Sequence, residues 1–210
     1  MGAIKPKIKI CGIKSLGEAR SILECEFGGI KVDFLGLIFA ESKRQVRLEI
    51  AKEISNLAHK FGRKSVGVFT DSSDDEILQI CEFANLNVAQ IYKEISLNLK
   101  QNLAKIGVEV WQVVRIKDEI PSFSNLYFDK ILFDYKGEKF GGNGQKFNWN
   151  LLKNLNLSFV LAGGIGVENI SEALNLGAFC LDTNSKVEDE NLIKNPQKIM
   201  EILKLIGEQK

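Results

Sequence analysis

Eight short, almost wholly apolar runs recur along the entire chain, and helix-patterned segments separate them. They lie at 7–11 (KIKIC), 34–39 (FLGLIF), 64–70 (KSVGVFT), 88–92 (VAQIY), 108–116 (VEVWQVVRI), 130–135 (KILFDY), 159–164 (FVLAGG) and 178–183 (AFCLDT). Within each run the apolar residues are nearly continuous, which is the pattern of parallel strands buried on both faces. Parallel strands need crossover connections, and amphipathic stretches at 16–25, 48–60, 74–84, 95–106, 149–155, 168–176 and 197–205 supply them. Ser15 stands three residues before Glu18, the spacing of a capping box, and Asp71, Ser72 and Ser73 crowd the start of the third helix. The connection 117–129 contains Pro121 and has room for no more than a short helix. Eight β–α units in 210 residues admit a closed (β/α)8 TIM barrel or an open doubly wound sheet, both of class α/β. No Pro- or Ser-rich linker divides the chain, so a single domain over 1–210 is expected. In either fold, ligands bind beyond the carboxyl ends of the strands.

The rest of the composition removes whole classes of function. The 28 basic and 27 acidic side chains nearly cancel, and no basic stripe suited to nucleic acid stands out. KFGRK at 60–64 reads as a solvated turn. No apolar stretch approaches the roughly 18 residues of a membrane helix. The opening MGAIKPKIKICG lacks a hydrophobic signal region, so no export is expected. Cysteines 11, 25, 81 and 180 are spaced too widely for a metal knuckle or a redox pair. The expected setting is a reducing cytoplasm, and the expected partner is a small molecule rather than nucleic acid or membrane. A monomer is the simplest expectation, with a dimer open.

Residues just past the strands carry the candidate chemistry. Cys11, followed by Gly12, reads either as a packed apolar side chain or as a thiolate base, which at an ordinary pKa near 8.5 would need activation. Lys9 lies two residues away on the same face, but strand geometry alone does not aim it at the thiol. Asp134 reads as a loop cap or as an acid whose pKa burial raises. Arg44, in FAESKR, reads as a solvated charge or as a two-pronged carboxylate clamp. Gly163 and Gly164, read as lying just before a helix, offer backbone N–H groups to an anion, and Asn184 and Ser185 after the eighth strand could add donors. The glycine-rich segment 137–144 reads as a lid or as a surface loop. His59, the lone histidine, falls in a helix pattern and is given no catalytic role.

Taken in order, these segments resemble the phosphoribosylanthranilate isomerase family. KIKICGIKS is similar to that family's KICGI, whose cysteine is the catalytic base. FLGLIFAESKR resembles its GF-x-F-x-x-x-S-x-R pattern, whose arginine binds the substrate's anthranilate carboxylate. LFDYKGEKFGGNGQKFNW resembles LLD…GGSGKTFDW, whose first aspartate is the general acid, and LAGGIGVENI resembles LSGGLxPENV at the phosphate site. The chain departs from the family at Tyr92-Lys93, where Gln-Leu-His-Gly is usual, and at Lys186, where DVSSGVE has glycine. Asn148 replaces the aspartate of FDW and should still cap a helix.

The resemblance implies a (β/α)8 barrel and an Amadori rearrangement. N-(5-phosphoribosyl)anthranilate would become 1-(2-carboxyphenylamino)-1-deoxyribulose 5-phosphate, with Asp134 as acid, Cys11 as base and no metal or organic cofactor. Acid and base must coexist at one pH, so opposite pKa shifts are expected, upward for Asp134 and downward for Cys11. The alternatives are another phosphate-binding barrel enzyme, such as a ribulose-phosphate epimerase or indoleglycerol-phosphate synthase, or a barrel that binds a sugar phosphate without turning it over. The epimerase would want metal-binding histidines, and the synthase's lysine and glutamate motifs are missing.

Overall fold

The computed structural model describes residues 5–122, 127–137, 145–153 and 155–209. Eight parallel strands close a barrel in chain order: β1 (Lys7–Cys11), β2 (Phe34–Ile38), β3 (Lys64–Phe69), β4 (Val88–Ile91), β5 (Glu109–Ile116), β6 (Lys130–Tyr135), β7 (Phe159–Leu161) and β8 (Cys180–Thr183). β8 returns to β1 with Lys9 beside Asp182 in register, which decides for the closed barrel over the open sheet. The surrounding helices are α1 (Leu16–Leu23), α2 (Leu48–Lys60), α3 (Asp74–Phe83), α4 (Leu97–Lys105), α5 (Ile170–Leu174) and α6 (Pro196–Glu208), with a 3-10 turn at Trp149–Leu152. Asn148 caps that turn, its side chain accepting from the Asn150 N–H. No helix is present among the described residues of the 117–129 connection.

Two features differ from the sequence reading. A two-stranded hairpin, Glu26–Phe27 with Ile30–Lys31, sits between α1 and β2. Gly28 and Gly29 make its turn with φ of +57° and +82°, which glycine adopts without strain. Its strands are too short to leave a periodic signal. At α1, Ser15 caps the Glu18 N–H as expected, but the capping box does not close. The Glu18 carboxylate instead accepts from the Lys14 N–H at 2.8 Å and, far along the chain, from the Lys194 N–H at 2.9 Å. The box that does close is Ser73 with Glu76 at α3. His59 bonds Asn87 at 2.8 Å beside the amino ends of the strands, away from their carboxyl ends.

Side chains alternate across each strand, so the protein has two cores. The outer one lies between strands and helices, and the inner one fills the barrel with Phe34, Val66, Val88, Trp111, Val113, Leu132, Val160 and Cys180. Trp111 meets Phe34 edge-on at 5.1 Å between ring centroids. Among the inward residues are buried Lys9, Gln90, Asp134 and Asp182. Burying polar side chains inside a barrel is costly, and those present mark the end where the chemistry lies.

Gly36 on β2 ties fold to site. A Cβ there would sit 2.8 Å from both the Cα and the Sγ of Cys11. Gly36→Ala is therefore expected to lower stability by about 1–3 kcal/mol, the usual cost of overpacking. Urea unfolding followed by circular dichroism checks it, and a variant as stable as wild type would show that β1 has room to move.

Candidate active site

The carboxyl ends of the strands surround a cavity of about 780 Å³. Cys11, Arg44, Asp134, Gly163, Gly164, Asn184 and Ser185 all line it. So do Gln90, Tyr92 and Asp182, to which the sequence reading gave no role, and Lys186, read as an added charge or a changed loop at the phosphate end. Residues 138–144, most of the glycine-rich segment, lie outside the described residues.

Cys11 ends β1, and Gly12 then turns the chain with φ of +82°. The thiol is 4% exposed. Burial raises its pKa, the Lys9 and Lys194 ammonium groups pull it back, and Asp182 pushes it further up. The net direction is upward, which corrects the expected downward shift: desolvation of a buried thiolate outweighs the cations. The view that Lys9 is not aimed at the thiol is also corrected. Lys9 points into the barrel and bonds Asp182 at 2.7 Å, and its charge lies close enough to Cys11 to favour the thiolate. Burial alone would lower the pKa of Lys9, but Asp182 and Cys11 more than offset this and keep it a cation.

Asp134, on β6, is held at both oxygens. Oδ1 accepts from the Tyr135 N–H at 2.8 Å and Oδ2 from the Tyr92 hydroxyl at 3.0 Å. Burial pushes its carboxyl up to about 6, against the Tyr92 and Tyr135 hydrogen bonds, which favour the carboxylate. This is the upward shift that an acid needs. Gly163 stands close by, where a Cβ would come within 3.3 Å of Oδ1.

Arg44 is spoken for on one edge. Its Nε and Nη2 donate to Glu188 at 2.7 Å each. Glu188 is buried and also takes the Lys194 ammonium at 2.5 Å. Lys194 in turn donates to the Asn184 side-chain oxygen at 2.7 Å. The fork therefore cannot offer its Nε edge to a ligand; its other edge, Nη1 with Nη2, is the one that can face the cavity. Gly12 makes room for this, since a Cβ there would sit 2.9 Å from Arg44 Cδ. Among the described residues, Lys9 pairs with Asp182 while Arg44 and Lys194 share Glu188, so these three cations and two carboxylates carry one positive charge in excess, with Asp134 close enough to feel Lys9.

The glycine end also differs from expectation. Gly163 and Gly164 are left-handed, with φ of +93° and +68°. No helix follows at once: α5 begins at Ile170 and is only five residues long. A turn closed by Asn169 takes its place, the side chain donating to Gly164 O and accepting from the Gly166 N–H, both at 2.9 Å. Anion binding here would rest on backbone N–H groups, not on a long helix dipole. Ser185 opens a single 3-10 turn, Ser185–Val187, and Lys186 beside it pairs with Glu168 at 2.5 Å.

A thiol and a carboxyl raised to about 6 thus share one barrel mouth, with Arg44 and the Gly163–Gly164 turn, groups able to hold an anion, lining the same cavity. This defines a (β/α)8 enzyme that moves protons on a small anionic substrate. The profile of the N-(5'-phosphoribosyl)anthranilate (PRA) isomerase family matches residues 8–205, and the chain belongs to that family, an isomerase of tryptophan biosynthesis. An N-(5'-phosphoribosyl)anthranilate isomerase of Campylobacter jejuni is 41% identical over 198 residues, covering 94% of this chain and 97% of that one. The crystal structure of phosphoribosyl anthranilate isomerase from Thermus thermophilus superposes with a TM-score of 0.78 at 27% identity, covering 94% and 96% of the two chains. A further structure of such an isomerase, in complex with reduced 1-(o-carboxyphenylamino)-1-deoxyribulose 5-phosphate, gives a TM-score of 0.75 at 26% identity over 95% and 97%. The family match sets aside the epimerase, synthase and non-catalytic readings.

Lys9 tests the electrostatics without substrate. Lys9→Met removes a cation beside the thiol, so the thiolate loses stabilisation and the pKa of Cys11 rises further. The pH midpoint of Cys11 alkylation by iodoacetamide, read by mass spectrometry, should move upward. A midpoint that stays or falls would mean that Lys9 does not act on the thiol.

Proposed function

We propose that Cys11 is the base and Asp134 the acid of the family's isomerisation. Arg44 holds the anthranilate carboxylate, and Gly163, Gly164, Asn184 and Ser185 hold the phosphate. The observation that carries this reading is that Cys11 and Asp134 open into the same cavity, with Arg44 and the glycine turn flanking them. Asp134 gives its proton to the furanose oxygen, the C1′–O bond breaks, and a Schiff base forms. The Cys11 thiolate then takes the C2′ proton, and the resulting enolamine tautomerises to the aminoketone. Lys186 stands at the phosphate end, where a bound phosphate competes with Glu168 for its ammonium. The named residues line one cavity within a single barrel, which supports a monomer as the working unit. A site that depends on a free thiol also suits a reducing cytoplasm.

The acid and base are coupled through a shared proton. Asp134 takes up a proton near pH 6, while Cys11 keeps its own until above the ordinary thiol range. Between these limits the pair carries one proton, resting mainly on the thiol. The reactive form has that proton on Asp134, and the excess positive charge around Lys9 and Lys194 stabilises the thiolate left behind. Below the lower limit both groups are protonated and the base is blocked; above the upper limit both are ionised and the acid is lost. The pH profile of kcat/KM should therefore be a bell with its acid limb near about 6 and its alkaline limb above the ordinary thiol range. An alkaline limb near 6 would contradict this order of ionisation.

Substitutions separate chemistry from binding. Cys11→Ala and Asp134→Ala should each lower kcat by at least about 100-fold, the scale of a positioned acid or base, and Cys11→Ser should also be poor. Arg44→Ala should raise KM by about 10- to 200-fold, since charge-assisted hydrogen bonds contribute roughly 1.5–3 kcal/mol, while inhibition by a simple sugar phosphate stays unchanged. Arg44→Lys should recover only part of the loss, because an ammonium cannot pair both with Glu188 and, edge-on, with a carboxylate. Loss of substrate fluorescence supplies the assay. Near-normal turnover in either alanine variant removes that residue from its role, and an unchanged KM in Arg44→Ala removes the clamp.

A further inference from the structure

Tyr92 follows β4 and enters the sequence reading only as a departure from the family's usual Gln-Leu-His-Gly. In the structure its ring packs against the inner core of the barrel, and its hydroxyl donates to Asp134 Oδ2 at 3.0 Å. The Tyr135 N–H already holds Oδ1 at 2.8 Å, so the carboxyl is fixed at both oxygens. We infer that Tyr92 is a positioning residue for Asp134: its phenol orients the carboxyl and sets the pH at which that carboxyl takes up its proton. The catalytic weight of this rests on Asp134 being the acid; the contact itself does not.

The chemistry of the two donors differs. A backbone N–H can only donate, so it favours the carboxylate and loses its partner's charge when Asp134 is protonated. A hydroxyl can donate to the carboxylate and, after rotation, accept from the protonated acid. Tyr92 is thus the neighbour that can follow Asp134 through both states. It also stays neutral, because burial and the Asp134 carboxylate push the phenol well above its ordinary range.

The other charged groups facing Asp134 act more weakly or elsewhere. Asp182 on β8 raises the carboxyl and Lys9 on β1 lowers it, each less strongly than the Tyr92 hydrogen bond acts. Cys11, also on β1, is uncharged while its thiol is protonated. Arg115 on β5 stands opposite Asp134 in register, but its Nη2 donates to the Gly137 carbonyl at 2.5 Å. Removing the phenol hydroxyl therefore removes the leading force that opposes burial. The midpoint of Asp134 should rise, by about one pH unit for the loss of one such hydrogen bond.

The test reads Asp134 directly in ligand-free protein. Protein labelled with 13C at aspartate carboxyls is titrated by infrared spectroscopy, and the Asp134 band is identified by its absence in Asp134→Asn. Wild type should show a midpoint near about 6. Tyr92→Phe should move it up by about one pH unit. Tyr92→His, which restores a donor, should bring it back below the Phe value. A midpoint that is the same in wild type and Tyr92→Phe, or the same in the Phe and His variants, overturns the inference. The acid limb of kcat/KM is measured alongside. If it rises with the midpoint, the inference extends to catalysis. If the midpoint moves while the limb stays, Asp134 loses its place in the reaction and the Tyr92 assignment still stands.

Discussion

A lysine and an aspartate meet inside this barrel, Lys9 Nζ to Asp182 Oδ2 at 2.7 Å, with both side chains almost wholly buried. Each charge would be prohibitive alone, and together they hold only because the pairing is close. The pair sits where β1 and β8 close the sheet, so the seam of the barrel and the floor of the cavity are the same structure. It places a fixed cation beside a cysteine that burial would otherwise keep as an inert thiol. Breaking either half would leave the other charged in an apolar interior, which makes the local electrostatics as constrained as the packing.

The second buried network depends on the same seam. Lys194 and Glu188, both in the connection from β8 to α6, hold Arg44 in the loop after β2, and the Glu18 carboxylate pins the Lys194 backbone to the start of α1. Three distant parts of the chain are thereby locked around the mouth of β1. The turn at Gly12 passes through this lock, and its lack of a side chain leaves space for Arg44 and Asn184. An arginine so held is preorganised: its orientation is settled before any ligand arrives, which reduces the entropic cost of binding. The surplus positive charge of the network has the sign that a thiolate or an incoming carboxylate requires.

Much of the architecture was legible in the sequence, because strands buried on both faces leave continuous apolar runs. KIKIC and KILFDY match their strands residue for residue, and 48–60 matches α2. Closure was not legible from the alternation, which fits an open sheet equally well; it came with the family resemblance, and the β1–β8 pairing bears it out. The rim positions could be read because they follow strand ends, and Cys11, Arg44, Asp134, Gly163 and Ser185 all reach the cavity. The partners that set their chemistry could not. Lys9 and Asp182 lie 173 residues apart, and Arg44 and Glu188 lie 144 apart. No local pattern announces such a pair. The direction of the Cys11 shift was missed for the same reason, since it depends on how much water the fold excludes. Tyr92 could be seen as unusual in the sequence, but its reach to Asp134 across the barrel could not.

The central claim is spatial: one sugar phosphate lies between the Cys11 thiol and the Asp134 carboxyl, gripped at either end. A crystal structure with the reduced product analogue tests it most directly. The account predicts Cys11 Sγ about 3.5 Å from C2′ on one face of the sugar chain, in reach for proton transfer. It places the Asp134 carboxyl by the former ring oxygen, the phosphate on the backbone around Gly164 and Ser185, and the aryl carboxylate on the Nη1 edge of Arg44. Phosphate seated on Arg44, or Cys11 and Asp134 both on the same atom of the sugar, would contradict it.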